Sequence, residues 1–77
     1  MELNTFIQNF ANLFDDTDAS EFQAGTEFKA LDEYSSLIAL SIIAMADEEY
    51  DVALKGDDIR NAVTIEDLFN TVKNKME

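Results

Sequence analysis

The sequence predicts an all-α fold, a small four-helix bundle with three longer helices, one short helix and a long loop between helices 1 and 2. Three observations predict it. Apolar residues recur at three- and four-residue intervals in the first and last segments, a middle segment is almost wholly apolar and rich in helix formers, and proline is absent. Strand-like alternation is weak, and there is no internal repeat or low-complexity tract. With 77 residues the chain makes one domain, 1–77, and at that size only roughly 60–65% of the unfolded surface is buried. The core must therefore be thin, and any chemistry should lie on the surface or between a few packed helices.

Leu3, Phe6, Ile7, Phe10, Ala11 and Phe14 line one face of helix 1, over about residues 2–14. From Asp15 to Ser35 the period is lost, acidic and hydroxyl residues gather, and Gly25 interrupts the chain. A structureless connection longer than about 12–15 residues is uncommon in a compact domain, so this loop needs anchors, and Phe22, Phe28 and Leu31 are the candidates. Helix 2 spans 36–50, with Ser35 or Ser36 available as N-cap. Lys55-Gly56 punctuates the chain, and Asp57 caps a short helix 3 through Asp58, Ile59, Arg60 and Asn61. Thr64-Ile65-Glu66-Asp67 resembles a capping box with Asp in place of Glu. Ile65, Leu68, Phe69, Val72 and Met76 then give helix 4 its apolar face, to about Lys75.

Composition excludes several function classes. Without cysteine or histidine there are no disulfide staples, no thiolate zinc sites and none of the usual nucleophilic triads. General acid–base catalysis would need a strongly perturbed carboxylate or lysine, so the expectation is that the chain is not an enzyme. A net charge of −12 opposes binding to nucleic acid or to anionic lipid, and predicts basic protein partners. Hydrophobic residues at 47% supply enough material for a folded monomer rather than a disordered acidic chain. No targeting segment or span of ~20 apolar residues is seen, so no membrane insertion and a cytoplasmic location are expected.

Helix 2 is too apolar for all of it to face inward. At 100° per residue, Ala39, Ile43, Ala46 and Tyr50 fall on one line with Ile42 beside it, and these are the expected core. Leu37, Ile38, Ser41, Ala44, Met45 and Glu48 fall opposite, as a strip facing solvent unless the long loop covers it. An exposed apolar strip on an acidic protein predicts docking onto another molecule. Asp47, Glu48, Glu49 and Asp51 crowd the end of the helix where the macrodipole is already negative. They weaken their own helix, which favours steering toward a basic partner over a merely solvated face. Lys73 and Lys75, by contrast, suit the dipole at the end of helix 4.

Ser36 stands at the mouth of helix 2, where backbone N–H groups and the dipole favour an anion such as a phosphate. Most such serines merely cap a helix, so its surroundings carry the weight. The run LDEYSSLIALSIIAMADEEYDV resembles the centre of acyl carrier proteins, in which a leucine precedes Asp-Ser-Leu and an aliphatic helix ends in acidic residues and an aromatic. The matching residues are Leu31, Ser36-Leu37, Asp47-Glu48-Glu49 and Tyr50-Asp51. Phe28 and Thr64-Ile65-Glu66-Asp67-Leu68 extend the likeness over essentially the whole chain. Ser35 replaces the family's usual Asp, but register from Leu37 and Tyr50 places the modified hydroxyl at Ser36 and leaves Ser35 as N-cap. Ile38 and Ser41 also stand where the family often has acids, which shifts negative charge toward 47–51.

The resemblance implies a carrier in fatty acid biosynthesis that holds acyl chains as thioesters on a 4′-phosphopantetheine arm. A phosphopantetheinyl transferase (holo-carrier synthase) would move the arm from coenzyme A to Ser36. Fatty acid synthesis enzymes and acyltransferases with basic docking surfaces would then read Leu37, Ile38, Ser41, Met45, Asp47, Glu48 and Glu49. No catalytic residue and no metal is implied. Alternatives are a peptidyl, polyketide or D-alanyl carrier, and a non-catalytic helical interaction module without modification. Asp16, Asp18, Ser20 and Glu27 match four positions of a calcium-binding EF-hand loop, but Glu21 stands where that loop needs glycine.

Overall fold

A computed structural model describes residues 2–76. Its helices are α1 (Leu3–Ala11), α2 (Ser36–Tyr50), α3 (Gly56–Asn61) and α4 (Ile65–Met76), and there is no strand among the described residues. α1, α2 and α4 pack against one another and α3 lies against α4, which makes a small helical bundle.

The expected elements are present, with adjustments at their ends. α1 stops at Ala11, three residues before the predicted limit. The amides of Leu13 and Phe14 donate to the carbonyls of Phe10 and Ala11 at 3.1 and 3.0 Å, so the chain continues as a tightened turn. That turn keeps the three-residue spacing and still delivers Phe14 to the core. α2 has the predicted bounds and ends at Asp51, whose backbone lies in the left-handed region at φ 55° and ψ 42°. Its amide donates to the carbonyls of Ala46 and Asp47, and the reversal turns Val52 into the core. α3 begins two residues earlier than expected, at Gly56 after Lys55, and is not capped by Asp57. Asp58 accepts the amide of Lys55 at 2.9 Å, while Asp57 lies inside the first turn and pairs with Arg60 at 2.9 Å. An acid at the third helical position can reach back to the flanking amide, whereas one at the second cannot do so as easily.

At α4 the capping box forms. The carboxylate of Asp67 accepts the amides of Val63 and Thr64, each at 3.0 Å, and the amide of Asp67 donates to Thr64 Oγ1 at 3.1 Å. The intervening amides of Ile65 and Glu66 donate to the carbonyls of Thr26 and Ala24 at 3.1 and 3.0 Å. The long loop thus supplies backbone caps to a helix distant in sequence.

All six phenylalanines belong to one core. The Phe10 ring centroid lies 6.3, 5.6, 6.2 and 5.3 Å from those of Phe6, Phe14, Phe22 and Phe28. Phe6 reaches Phe69 at 5.6 Å and Tyr50 at 5.8 Å, while the Tyr50 hydroxyl accepts a 2.9 Å hydrogen bond from Asn9 Nδ2. Phe22 and Phe28 come from the loop, and each rides beside a short 3₁₀ turn, Ala19–Glu21 or Phe28–Ala30. Both are buried, and Leu31 packs half-buried against the same core, so the three anchors expected from sequence are in place. Lys29 fixes the second turn from outside, donating to the carbonyls of Ile59 and Arg60 at 3.1 and 2.8 Å at the end of α3.

Hydrogen bonds from the backbone of Thr64, then of Val63, hold the Asp67 carboxyl below its ordinary value of 3.8. A depressed folded value means that its contribution is complete above the ordinary value and is lost as pH falls through the folded one. Relief of the overall negative charge acts in the opposite sense, so the comparison must be with a variant. Urea unfolding of wild type and Asp67→Asn should show a stability gap that is constant from about pH 7 to 5 and narrows below about pH 4. A gap independent of pH would refute the assigned role.

Candidate functional site

Ser35 is the N-cap of α2, with an extended backbone (φ −155°, ψ 175°) and an Oγ that accepts the amide of Ile38 at 3.4 Å. Ser36 is the first helical residue and is exposed. Its hydroxyl has no side-chain hydrogen bond among the described residues, whereas Ser41 Oγ is spent on the Leu37 carbonyl at 3.2 Å. The amides of Ser36 and Leu37 lie too near the helix start to have intrahelical acceptors, so they add to the positive end of the dipole beside this hydroxyl. The two adjacent serines therefore divide the work: one closes the helix and the other is free.

The predicted docking strip needs correction. Leu37 is 72% exposed and Ala44 and Glu48 face solvent, as expected. Met45, however, is buried at 6% exposure and belongs to the core, and Ile38 packs half-buried against it. Leu40, which the wheel did not place on the strip, is 63% exposed. On the inner side Ile42 and Ala46 are fully buried, while Ala39, Ile43 and Tyr50 sit at its edge. The helix is turned by roughly 60° from the expected phase, less than the 100° step of a single residue. An all-round apolar helix has no polar face to fix its phase, and the aromatic rings of α1 and α4 set it instead.

The exposed face of α2 thus runs Leu37, Leu40, Ala44 and then Asp47, Glu48 and Asp51. Glu49 is also exposed. Among the described residues none of these four acids takes part in an ion pair. Three basic side chains engage α3 instead: Lys29 at its last carbonyls, Arg60 with Asp57, and Lys75 with Asp58 at 3.4 Å. Negative charge at the end of α2 is left uncompensated, beside an apolar surface that begins next to Ser36.

Two of the surface concavities among the described residues are formed by the helices and the loop. One of about 430 Å³ lies between α1 and the loop, against Leu3, Ile7, Phe22 and Ala24, and one of about 280 Å³ lies between Asn9, Asn12, Leu13, Met45, Glu48 and Glu49. Neither is lined by Ser36. The EF-hand-like residues are not gathered: the backbone and hydroxyl of Ser20 hold the Asp18 carboxylate below its usual range, and no three acids converge as a metal cluster among the described residues. No described helix is long and apolar enough to cross a membrane.

Sequence reasoning missed Glu33. Its carboxylate accepts the amides of Asp15 at 2.8 Å and Asp16 at 3.0 Å and the hydroxyl of Thr17 at 2.7 Å. The Thr17 hydroxyl, then the backbone amides, hold its carboxyl below the ordinary value of 4.5. The one available signal was the need of a long loop for fastening at both ends. Comparison with protein-family models, with curated proteins and with solved structures finds no match to this chain.

The division of labour between the serines predicts unequal stability effects. Ser35→Ala should lower the unfolding free energy by about 0.5–1 kcal/mol, toward the low end for an N-cap because its bond is long. Ser36→Ala should change it by less than about 0.5 kcal/mol. Urea titration of both variants measures this, and equal losses would refute the assignment of the cap.

Proposed function

We propose that this chain is an acyl carrier protein of fatty acid biosynthesis and works in the cytoplasm. The observation that carries the reading is the free, exposed hydroxyl of Ser36 at the start of α2, bordered by an apolar face and an unpaired acidic cluster. Its support in sequence is the likeness of residues 31–52 to the carrier signature. The helical bundle is compatible with a carrier fold.

Ser36 fits the attachment of 4′-phosphopantetheine on physical grounds. Its oxygen is accessible, the adjacent amides and dipole suit the negative phosphodiester, and Ser35 keeps the helix capped without it. In loading, Ser36 Oγ bonds to the phosphorus of the phosphopantetheinyl group, the bond from that phosphorus to the rest of coenzyme A breaks, and the transferase removes the serine proton. This chain has no histidine, and among the described residues no carboxylate is hydrogen-bonded to the Ser36 hydroxyl, so the base is assigned to the transferase. When bound, the arm supplies a thiol that carries the acyl group as a thioester. The protein contributes a platform, a tether point and an address.

The address follows from charge. Residues 36–46 carry no charged side chain, and the acids begin at Asp47, eleven residues or about 17 Å of helix beyond Ser36. A partner enzyme should therefore offer an apolar surface near its catalytic mouth and lysines or arginines farther out. A peptidyl, polyketide or D-alanyl carrier would use the same serine, whereas an unmodified interaction module would use only the face.

Intact-mass analysis after incubation with coenzyme A and a broad-specificity phosphopantetheinyl transferase tests the reading. One phosphopantetheinyl arm should be added to wild type and to Ser35→Ala, and none to Ser36→Ala. Loading at Ser35, or no loading of the wild type, would overturn it. Neutralising Asp47, Glu48 and Asp51 to Asn, Gln and Asn should raise KM several-fold at low salt and flatten the salt dependence, on the order of a threefold to tenfold effect.

A further inference from the structure

Beyond its buried rings, the loop joining α1 to α2 has its two ends tied together by one carboxylate, that of Glu33. Glu33 reaches back 16 to 18 residues to take two amides and a hydroxyl from the turn that follows α1. The three donors come from consecutive residues, Asp15, Asp16 and Thr17, so they form a small pocket of N–H and O–H groups around one carboxylate. Asp15 and Asp16 put two further negative charges beside it, and Asp32 precedes it in the chain. Coulomb repulsion among these acids opposes the contact, so the geometry rests on the hydrogen bonds.

Glu33 lies three residues before Ser36. Between them, Tyr34 is pinned from two sides: its amide donates to the Leu31 carbonyl at 3.0 Å, and its ring meets Phe28 edge-on at 5.9 Å. Ser35 follows in an extended conformation and starts the helix. The segment that aims Ser36 is thus held inward by an aromatic contact and sideways by a carboxylate.

We propose that Glu33 is a positioning residue for Ser36: by clasping Asp15, Asp16 and Thr17 it fixes the approach to the helix and so the presentation of the serine hydroxyl to a modifying enzyme. The inference rests on the carrier reading of Ser36. The docking face beyond Leu37 is on α2 itself and does not depend on the clasp. Loss of the clasp therefore lowers the rate of the bound complex rather than its formation, because a loosely held nucleophile spends less time in line with its target.

The test compares wild type, Glu33→Gln and Thr17→Val. Glutamine keeps the size of the side chain but has one acceptor oxygen in place of two, so it cannot accept from Asp15 on one side and from Asp16 and Thr17 on the other. Thr17→Val leaves the carboxylate and both amides in place. In Glu33→Gln the amides of Asp15 and Asp16 should exchange with deuterium on the order of tenfold faster, while those of α4 keep wild-type protection. Loading from coenzyme A by a broad-specificity phosphopantetheinyl transferase should lose kcat on the order of tenfold with KM within about twofold. Thr17→Val should fall between the two.

Unchanged exchange at Asp15 and Asp16 would show that there is no clasp. Fast exchange with unchanged kcat would show that the clasp holds the loop and does not position the serine, and either result overturns the proposal. A wild-type chain that takes no arm would defeat the carrier reading instead, and the exchange data would still decide whether the clasp exists.

Discussion

The structure depends on the ring of Phe10. Four other phenylalanine rings surround it, and two of these, Phe22 and Phe28, come from the connection between α1 and α2 rather than from a helix. A domain of this size has few apolar residues to spare, and truncating one buried phenylalanine costs about 3–5 kcal/mol, a large share of a typical domain's stability. The connection is therefore a structural layer in its own right. Because its rings are fixed, the carbonyls of Ala24 and Thr26 are placed to cap α4, and Tyr34 is placed to lead the chain into α2. The position of Ser36 is inherited from this packing.

Much of the fold was legible in the sequence because its signals are periodic or chemical. The spacing from Leu3 to Phe14 gave α1, the Thr64–Asp67 pair gave the start of α4, and the bounds of α2 followed from its apolar run and the serines that precede it. The need of a long loop for anchors identified Phe22 and Phe28. The phase of α2 was not legible. Leu37, Ile38, Leu40, Ile42 and Ile43 differ too little in polarity to say which faces in, so a wheel could not see that Met45 goes inward and Leu40 outward. Tertiary contacts decide that question, and a sequence does not display them.

Other features left no trace for a different reason. The caps that Ala24 and Thr26 give to α4 use backbone carbonyls, which every residue has. Glu33 stands among other acids in a polar stretch, where a carboxylate ordinarily means only solvation. The adjacent serines lie at the limit of what sequence can separate. Register assigned the cap to Ser35, and the 3.4 Å contact to the Ile38 amide agrees, but the exposure of the neighbouring hydroxyl is a property of the folded chain alone.

The placement of the two tyrosines has a spectroscopic consequence. The chain contains no tryptophan, so Tyr34 and Tyr50 account for its intrinsic fluorescence. One ring lies against Phe28 on the way into α2, and the other ends at the seam with α1, where its hydroxyl is held by Asn9. The wild-type molecule thus carries one optical reporter at each end of the same helix, and replacing either with phenylalanine isolates the signal of the other without a foreign dye.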